Sequence, residues 1–170
     1  MDVHEALNIA IGFEHKVRDH YAAGAAKIFD ARGKRLFEVF AQEEQGHVDY
    51  LESRVEEWKT TGKITNAELG TLLPPPEWIA QAKKKVETAP AGSISIKEEL
   101  DLLKVALDLE KQTSAFYREL VNTLPAGDRP MFARFLEIED GHVALVQAEI
   151  DAIAGHGSWF DIMEFRLEAG

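Results

Sequence analysis

The chain contains the same charged element twice, in two stretches that lie 95 residues apart. The first reads "QEEQGHVDYL" and the second reads "EIEDGHVALV". Each has a Glu three residues before a His, which gives the pairs Glu44–His47 and Glu139–His142. Residues three apart are neighbours on one face of an α-helix, so both members of a pair can face the same point. The duplication predicts a chain built from two similar halves.

Apolar residues in steps of three and four predict four helices in one domain of 170 residues. The predicted helices cover about residues 2–31, 34–59, 95–124 and 129–154. Gly33 and the stretch "PAGDRP" predict short turns, so the two helices of each half should be antiparallel. The proline-containing segment 60–94 is predicted to be a crossover, and 155–170 a C-terminal tail. The prediction is an all-α bundle: two antiparallel helix pairs joined by a long crossover.

Four acids occupy positions within the apolar faces of these helices. Buried together, four carboxylates repel one another and lose hydration, which should raise the pKa of each. Two divalent metal ions would balance four negative charges, and neutral imidazoles would complete the ligand set. The predicted ligands are Glu14 and His47 for one metal, Glu110 and His142 for the other, and Glu44 and Glu139 as bridges. Carboxylate and imidazole ligands favour iron or manganese.

A simpler hypothesis treats these charges as a solvated helix face, but it does not explain the shared offset of the two elements. Glu43 is predicted to be an exposed acid. Three histidines are predicted to lie at the surface: His4, His15 and His20. Tyr21 and Tyr117 lie two turns from the predicted ligands. They are either core aromatics, or hydroxyl donors to a metal ligand from the other half.

Composition excludes several classes of protein and site. The chain has no Cys, which excludes disulfides, iron–sulfur clusters and Cys-ligated zinc or iron. A net charge of −11 argues against nucleic acid as a partner. The sequence shows neither a basic, apolar leader nor an apolar run of the roughly 20 residues that span a membrane. We therefore expect a cytoplasmic protein with no membrane partner.

Three features carry a family resemblance: the six predicted ligands, the Glu14…Tyr21 and Glu110…Tyr117 spacings, and the "EEQGH" and "EDGH" elements. With these features the chain resembles the ferritin-like di-iron carboxylate superfamily. The chain looks most like the rubrerythrin branch. The resemblance implies a ferritin-like bundle with two iron ions per chain, although manganese or a mixed pair is possible. It also implies an oxidoreductase at which hydrogen peroxide or O2 is reduced, with Tyr21 and Tyr117 beside the ligands. Alternatives are iron storage or delivery with ferroxidase activity, and a metal-stabilised bundle without turnover.

The chain departs from the rubrerythrin pattern at two points. It has no Cys-containing rubredoxin domain, so an external, rubredoxin-like electron donor is expected. Thr113 stands where the family usually has an additional Glu, so His47 is predicted to stay bound in both redox states. The apolar tail predicts a homodimer, unless it covers the bundle of its own chain. Its large apolar residues are Trp159, Phe160, Met163 and Phe165.

Overall fold

The computed structural model describes residues 1–74, 78–79 and 96–159, and all regular structure within these ranges is helical. Its four long helices are α1 (Val3–Ala25), α2 (Ala31–Thr61), α3 (Ile96–Thr123) and α4 (Arg129–His156). The prediction of an all-α, four-helix architecture is therefore confirmed. Within the described ranges, no helix combines the length and apolar character needed to cross a membrane.

Side-chain contacts give the relative directions of the helices. The contacts are His4–Trp58 and Tyr21–Phe37 between α1 and α2, Tyr117–Phe132 and Glu110–His142 between α3 and α4, and Tyr21–Glu110 and Glu14–Tyr117 between α1 and α3. In each case residue numbers rise along one helix while they fall along the other, so these three pairs are antiparallel. It follows that α2 and α3 run in the same direction. The connection between them must return along the bundle, as predicted for a crossover.

The turn between α1 and α2 lies earlier than predicted, at residues 26–30. Asp30 begins α2 because its carboxylate accepts a hydrogen bond from the backbone N–H of Arg32 at 2.8 Å. The buried carboxylate of Glu99 on α3 accepts the backbone N–H of Phe29 at 3.0 Å. The turn therefore depends on a distant acid, which local sequence could not indicate.

Gly33, the predicted turn residue, lies inside α2. A β-carbon at this position would come within 2.4 Å of the indole ring of Trp159. The indole N–H donates to Glu99 at 2.6 Å, and the ring is buried. The Gly allows close approach of the chain's own C-terminal segment, so Trp159 covers one end of its own bundle. The tail beyond Trp159 lies outside the described residues.

The first part of the crossover runs back along α2. Tyr50 donates its hydroxyl to the carbonyl of Ala67 at 2.7 Å, and the backbone N–H of Leu72 donates to Glu43 at 2.7 Å. As residue numbers rise in the crossover, the α2 partners fall, so this segment is antiparallel to α2. The sequence also predicts a helix-capping Ser95 before α3 and a short helix at 77–87 within the crossover. Ser95 and most of residues 77–87 lie outside the described residues. These contacts place residues 71–74 beside the middle of the bundle.

Candidate metal centre

The six predicted ligands converge in the middle of the bundle, and each is at most 1% exposed. They form two overlapping groups: Glu14, Glu44, His47 and Glu139 in one, and Glu44, Glu110, Glu139 and His142 in the other. Within each group, one oxygen or nitrogen per residue lies within 4.8 Å of all the others. The grouping matches the predicted arrangement. Each group has one His and one Glu of its own, Glu14 or Glu110, here called the terminal acids. Glu44 and Glu139 belong to both groups and are called the shared acids.

The two shared acids face both imidazoles. The two carboxylate oxygens of Glu44 lie 3.0 Å from Nδ1 of His47 and 3.0 Å from Nδ1 of His142. The corresponding distances for Glu139 are 3.4 Å and 3.7 Å. The imidazole rings are nearly parallel, with an angle of 7° and centroids 5.6 Å apart. A carboxylate that reaches both rings in this way is suited to bridge two ions.

The two terminal acids are each held by a tyrosine from the other half. Tyr21 donates its hydroxyl to Glu110 Oε1 at 2.6 Å, and Tyr117 donates to Glu14 Oε1. The other oxygens face the histidines: Glu14 Oε2 lies 3.2 Å from His47 Nδ1. Burial first, and then the neighbouring carboxylates, raise the pKa of both phenols. Both tyrosines therefore remain hydrogen-bond donors to a predicted ligand.

Aromatic rings enclose the centre with the same two-fold repetition. Tyr21 stacks on Phe40 with ring centroids 4.5 Å apart, and Tyr117 stacks on Phe135 at 4.9 Å. Each Phe also meets a ligand imidazole edge-on, with centroids 5.2 Å apart. These rings surround the carboxylates with apolar surface, which strengthens every electrostatic interaction among them.

The charges of the metal-free centre do not follow the uniform rise in pKa predicted from the sequence. Burial raises the pKa of Glu14 to about 8 and raises the pKa of Glu139 well above its ordinary value. Burial also opposes ionisation of Glu44, but the positive charges of His47 and His142 prevail and lower its pKa. The neighbouring carboxylates in turn raise the pKa of both histidines despite their burial. The prediction was wrong for Glu44 because this acid touches both imidazoles.

Several buried polar atoms of the centre lack a hydrogen bond within the described part of the chain. They are Glu44 Oε1, Glu110 Oε2, both carboxylate oxygens of Glu139 and both ring nitrogens of His142. A buried polar atom without a partner costs about 1–3 kcal/mol, and more when it is charged. Cations placed among these oxygens and nitrogens would satisfy them. The residues present therefore fit a metal site.

No protein-family model, curated protein or solved structure matches the chain. The chemistry of the centre is therefore inferred from its own residues. Hard carboxylate oxygens with imidazole nitrogens, and no thiolate in the chain, are a donor set that iron and manganese accept.

Glu43 was predicted to be exposed, and this prediction was wrong. Its side chain is buried and forms a third group with His47 and His142. Glu43 Oε1 lies 3.8 Å from Nε2 of His47 and 3.7 Å from Nε2 of His142. Its position four residues before His47 could have indicated that the two side chains lie on the same face of the helix. The sequence did not show that the crossover covers this side of α2.

The three other histidines predicted at the surface are partly buried. His4 stacks on Trp58 with centroids 4.4 Å apart, and Nε2 of His20 lies 2.9 Å from the carbonyl oxygen of Leu102. His15 has a buried Nδ1 with no hydrogen bond among the described residues. None of the three belongs to the ligand groups found in that part of the chain. His4 and His20 are thus partly covered by neighbouring helices although they lie outside the apolar face of α1.

Thr113 is fully buried one turn after Glu110. Its hydroxyl donates to the backbone carbonyl of Leu109 at 3.0 Å.

A cavity of about 220 Å³ lies near the centre, between the crossover and α4. Its walls are Thr71, Leu73, Pro74, Arg134, Glu137, Ile138, Gly141 and His142. The cavity reaches one of the predicted ligands and is large enough for water-sized molecules.

Proposed function

We propose that the centre binds two divalent iron or manganese ions and that the protein is an oxidoreductase that reduces hydrogen peroxide or O2. One observation carries the proposal: Glu44 and Glu139 each face both imidazoles inside a buried cluster of acids. A single ion needs only one of the two groups. Two groups that share two acids favour a pair of ions.

Each helix supplies a defined part of the proposed site. Glu14 and His47 would hold one ion, Glu110 and His142 the other, and the two shared acids would bridge them. The antiparallel pairing of α1 with α2 and of α3 with α4 agrees with the ferritin-like bundle implied by the sequence resemblance. The single tyrosine donor on each terminal acid would keep one oxygen of that acid turned away from the ions.

A ferrous pair can supply two electrons, which together with two protons convert one hydrogen peroxide molecule into two waters. The residues of the chain contribute enclosure and orientation: Phe40 and Phe135 exclude water from the imidazoles, and the tyrosines fix the terminal acids. The cavity beside His142 supports access for a small oxidant. The electrons would be restored by an external donor, for which a rubredoxin-like protein is the proposed class.

The decisive experiment measures metal content and oxidation kinetics on the same preparation. Metal-free protein is loaded anaerobically with Fe(II), and stopped-flow absorbance follows oxidation after mixing with hydrogen peroxide or with O2. We expect about two ions per chain and rapid oxidation by at least one oxidant. Bound Fe(II) that neither oxidant changes would contradict the oxidoreductase and support a structural metal site. Iron taken up far beyond two ions per chain, in a large shell-like assembly, would instead support storage.

The matched control is the variant Glu38→Gln. Glu38 is an exposed acid on α2, the helix that carries Glu44 and His47. This variant changes the helix charge without touching the centre, and it should bind and oxidise iron as the wild type does. A defect in this control would mean that general charge, rather than the buried ligands, controls uptake.

A further inference from the structure

We propose that Glu43 is a positioning residue that orients both candidate ligand histidines and connects them to the crossover. The inference rests on the proposed metal site, but it concerns a residue outside the six ligands. It begins with the way the two imidazoles are turned. Nδ1 of His47 and of His142 face the central carboxylates, so their Nε2 atoms face the opposite side. Glu43 lies on that opposite side.

One oxygen of Glu43 stands between the two outer nitrogens. Oε1 is 3.8 Å from one Nε2 and 3.7 Å from the other, and all three atoms are buried. None of these atoms has a hydrogen bond among the described residues. A neutral imidazole that binds a metal through Nδ1 carries its proton on Nε2 and usually donates it to a carboxylate or carbonyl. A closer approach of less than about 1 Å would give Glu43 two such N–H donors.

The other oxygen of Glu43 is already engaged. Oε2 accepts the backbone N–H of Leu72 at 2.7 Å, which anchors the carboxylate to the crossover. This bond comes from a segment distant in sequence, and it restricts how the carboxylate can turn. The crossover therefore contributes to the centre through Glu43, without supplying a ligand of its own.

The second half of the chain has no equivalent acid. The residue four before His142 is Ile138, which packs in the core. A single carboxylate therefore serves both imidazoles, although the ligands themselves are duplicated. This asymmetry gives a distinctive expectation: a change at Glu43 should weaken both ions, whereas a change at Glu14 or Glu110 should weaken one ion most.

The test compares Glu43→Gln and Glu43→Leu with wild type and with the surface control Glu38→Gln. In Glu43→Gln, the side-chain carbonyl oxygen can still accept the hydrogen bond from the backbone N–H of Leu72. The side-chain N–H₂ group would then face the Nε2–H groups of His47 and His142. Donors would then face donors, so this variant should fold but fail to orient the imidazoles. Anaerobic titration with Co(II) measures affinity at both sites, and the visible Co(II) bands report ligand geometry. Circular dichroism of the metal-free proteins confirms that each variant is folded.

We expect both Glu43 variants to bind both Co(II) ions about 10- to 100-fold more weakly, with altered visible bands. Proton NMR of the Zn(II)-loaded wild type should show two slowly exchanging imidazole N–H signals, and these should broaden or vanish in Glu43→Gln. Wild-type affinity and bands in Glu43→Gln would overturn the inference and leave the proposed metal site intact. Weakening of only one ion would overturn the shared role. A wild-type protein that binds neither Co(II) nor Zn(II) would overturn the metal site itself.

Discussion

The two halves of the molecule agree closely at the candidate centre and differ immediately around it. Each half supplies a terminal Glu, a Glu shared by both groups, a His, a Tyr and a Phe in the same relative positions. Around these, Glu43 of the first half corresponds to Ile138 in the second, and Thr113 of the second corresponds to Val17 in the first. The proposed function accounts for the agreement, because two ions of the same charge would require two similar ligand sets. The residues behind the ligands do not repeat in this way: in the described part of the chain, Glu43 accepts a hydrogen bond from Leu72 of the crossover.

The metal-free centre is itself unequal, although its ligands repeat. Glu44 lies closer to both imidazoles than Glu139 does, and of these two acids Glu44 is the one with a lowered pKa. Burial, followed by repulsion from Glu14 and Glu44, raises the pKa of Glu139. The two bridges should become equivalent only when ions occupy both positions.

The largest expected effect concerns the bridges. Glu44→Ala and Glu139→Ala should each lose most of both ions, because each removes a ligand from both groups. Glu14→Ala and Glu110→Ala should each weaken mainly one ion. Metal analysis after anaerobic Co(II) loading and desalting gives the number of ions per chain. Full occupancy in both bridge variants would contradict the ligand assignment, and loss of only one ion would contradict bridging.

The repeat in the sequence was sufficient to predict the four helices and the six residues that converge, because periodicity and spacing carry that information directly. Contacts between distant segments were not predictable in the same way. The turn before α2 is held by Glu99 on α3. Residue 33 must be a Gly because the indole of Trp159, more than 100 residues away in sequence, packs where a β-carbon would lie. Glu43 was misplaced for the same reason, since its partners include the backbone N–H of Leu72 in the crossover and His142 on α4. Sequence pattern gives the face of a helix, but not which segment covers it.

The next effect is the pH dependence of metal-free stability. The pKa values of Glu14 and Glu139 are higher in the folded than in the unfolded protein. Their contribution to the free energy of unfolding is therefore complete below the unfolded-state pKa, near 4.5. It is lost as pH rises through the folded-state pKa, which is about 8 for Glu14. The pKa values of His47 and His142 are also raised in the folded protein. Their stabilising contribution is therefore lost as pH rises above their unfolded-state pKa, near 6.5. Glu44 acts oppositely, since its lowered pKa contributes stability above about 4.5.

Together these shifts predict that metal-free protein is most stable near pH 4.5 and loses stability as pH rises toward 8 and above. Bound metal requires deprotonated ligands, so the loaded protein should show a weaker loss or a gain over the same range. Urea unfolding of both forms at pH 5.5 and pH 8 measures the difference. Parallel profiles for the two forms would show that the buried centre does not control the pH dependence.

A smaller effect separates two glycines on the same helix. A β-carbon at Gly33 would meet the indole of Trp159 at 2.4 Å, whereas one at Gly46 would meet nothing within 4 Å. Gly33→Ala should therefore destabilise the protein by about 1–3 kcal/mol through overpacking. Gly46→Ala should be neutral or stabilise by up to about 1 kcal/mol, because Ala is the better helix former. Urea unfolding of the metal-free variants checks both values, and equal effects would contradict the packing of Trp159 against α2.

The smallest expected effect is at Thr113, where the halves differ beside the centre. Its hydroxyl donates to the Leu109 carbonyl, and a neutral hydroxyl is a weak ligand compared with a carboxylate or an imidazole. Thr113→Val would give this position the residue found at Val17 in the other half. Co(II) affinity at both sites should remain unchanged. A clear loss at one site would identify Thr113 as a ligand.

The same reasoning predicts that His47 stays bound in both redox states, because residue 113 offers no carboxylate to replace it. Crystal structures of the oxidised and reduced forms test this directly: a metal that moves toward Thr113 while His47 leaves would contradict it. Thr113→Glu should sharpen the difference between the halves, since an added acid one turn after Glu110 would give one ion an alternative ligand. This variant should then favour hydrogen peroxide over O2 more strongly than the wild type does. If its preference is unchanged, the choice of oxidant is determined elsewhere, and the cavity beside His142 is the next place to test.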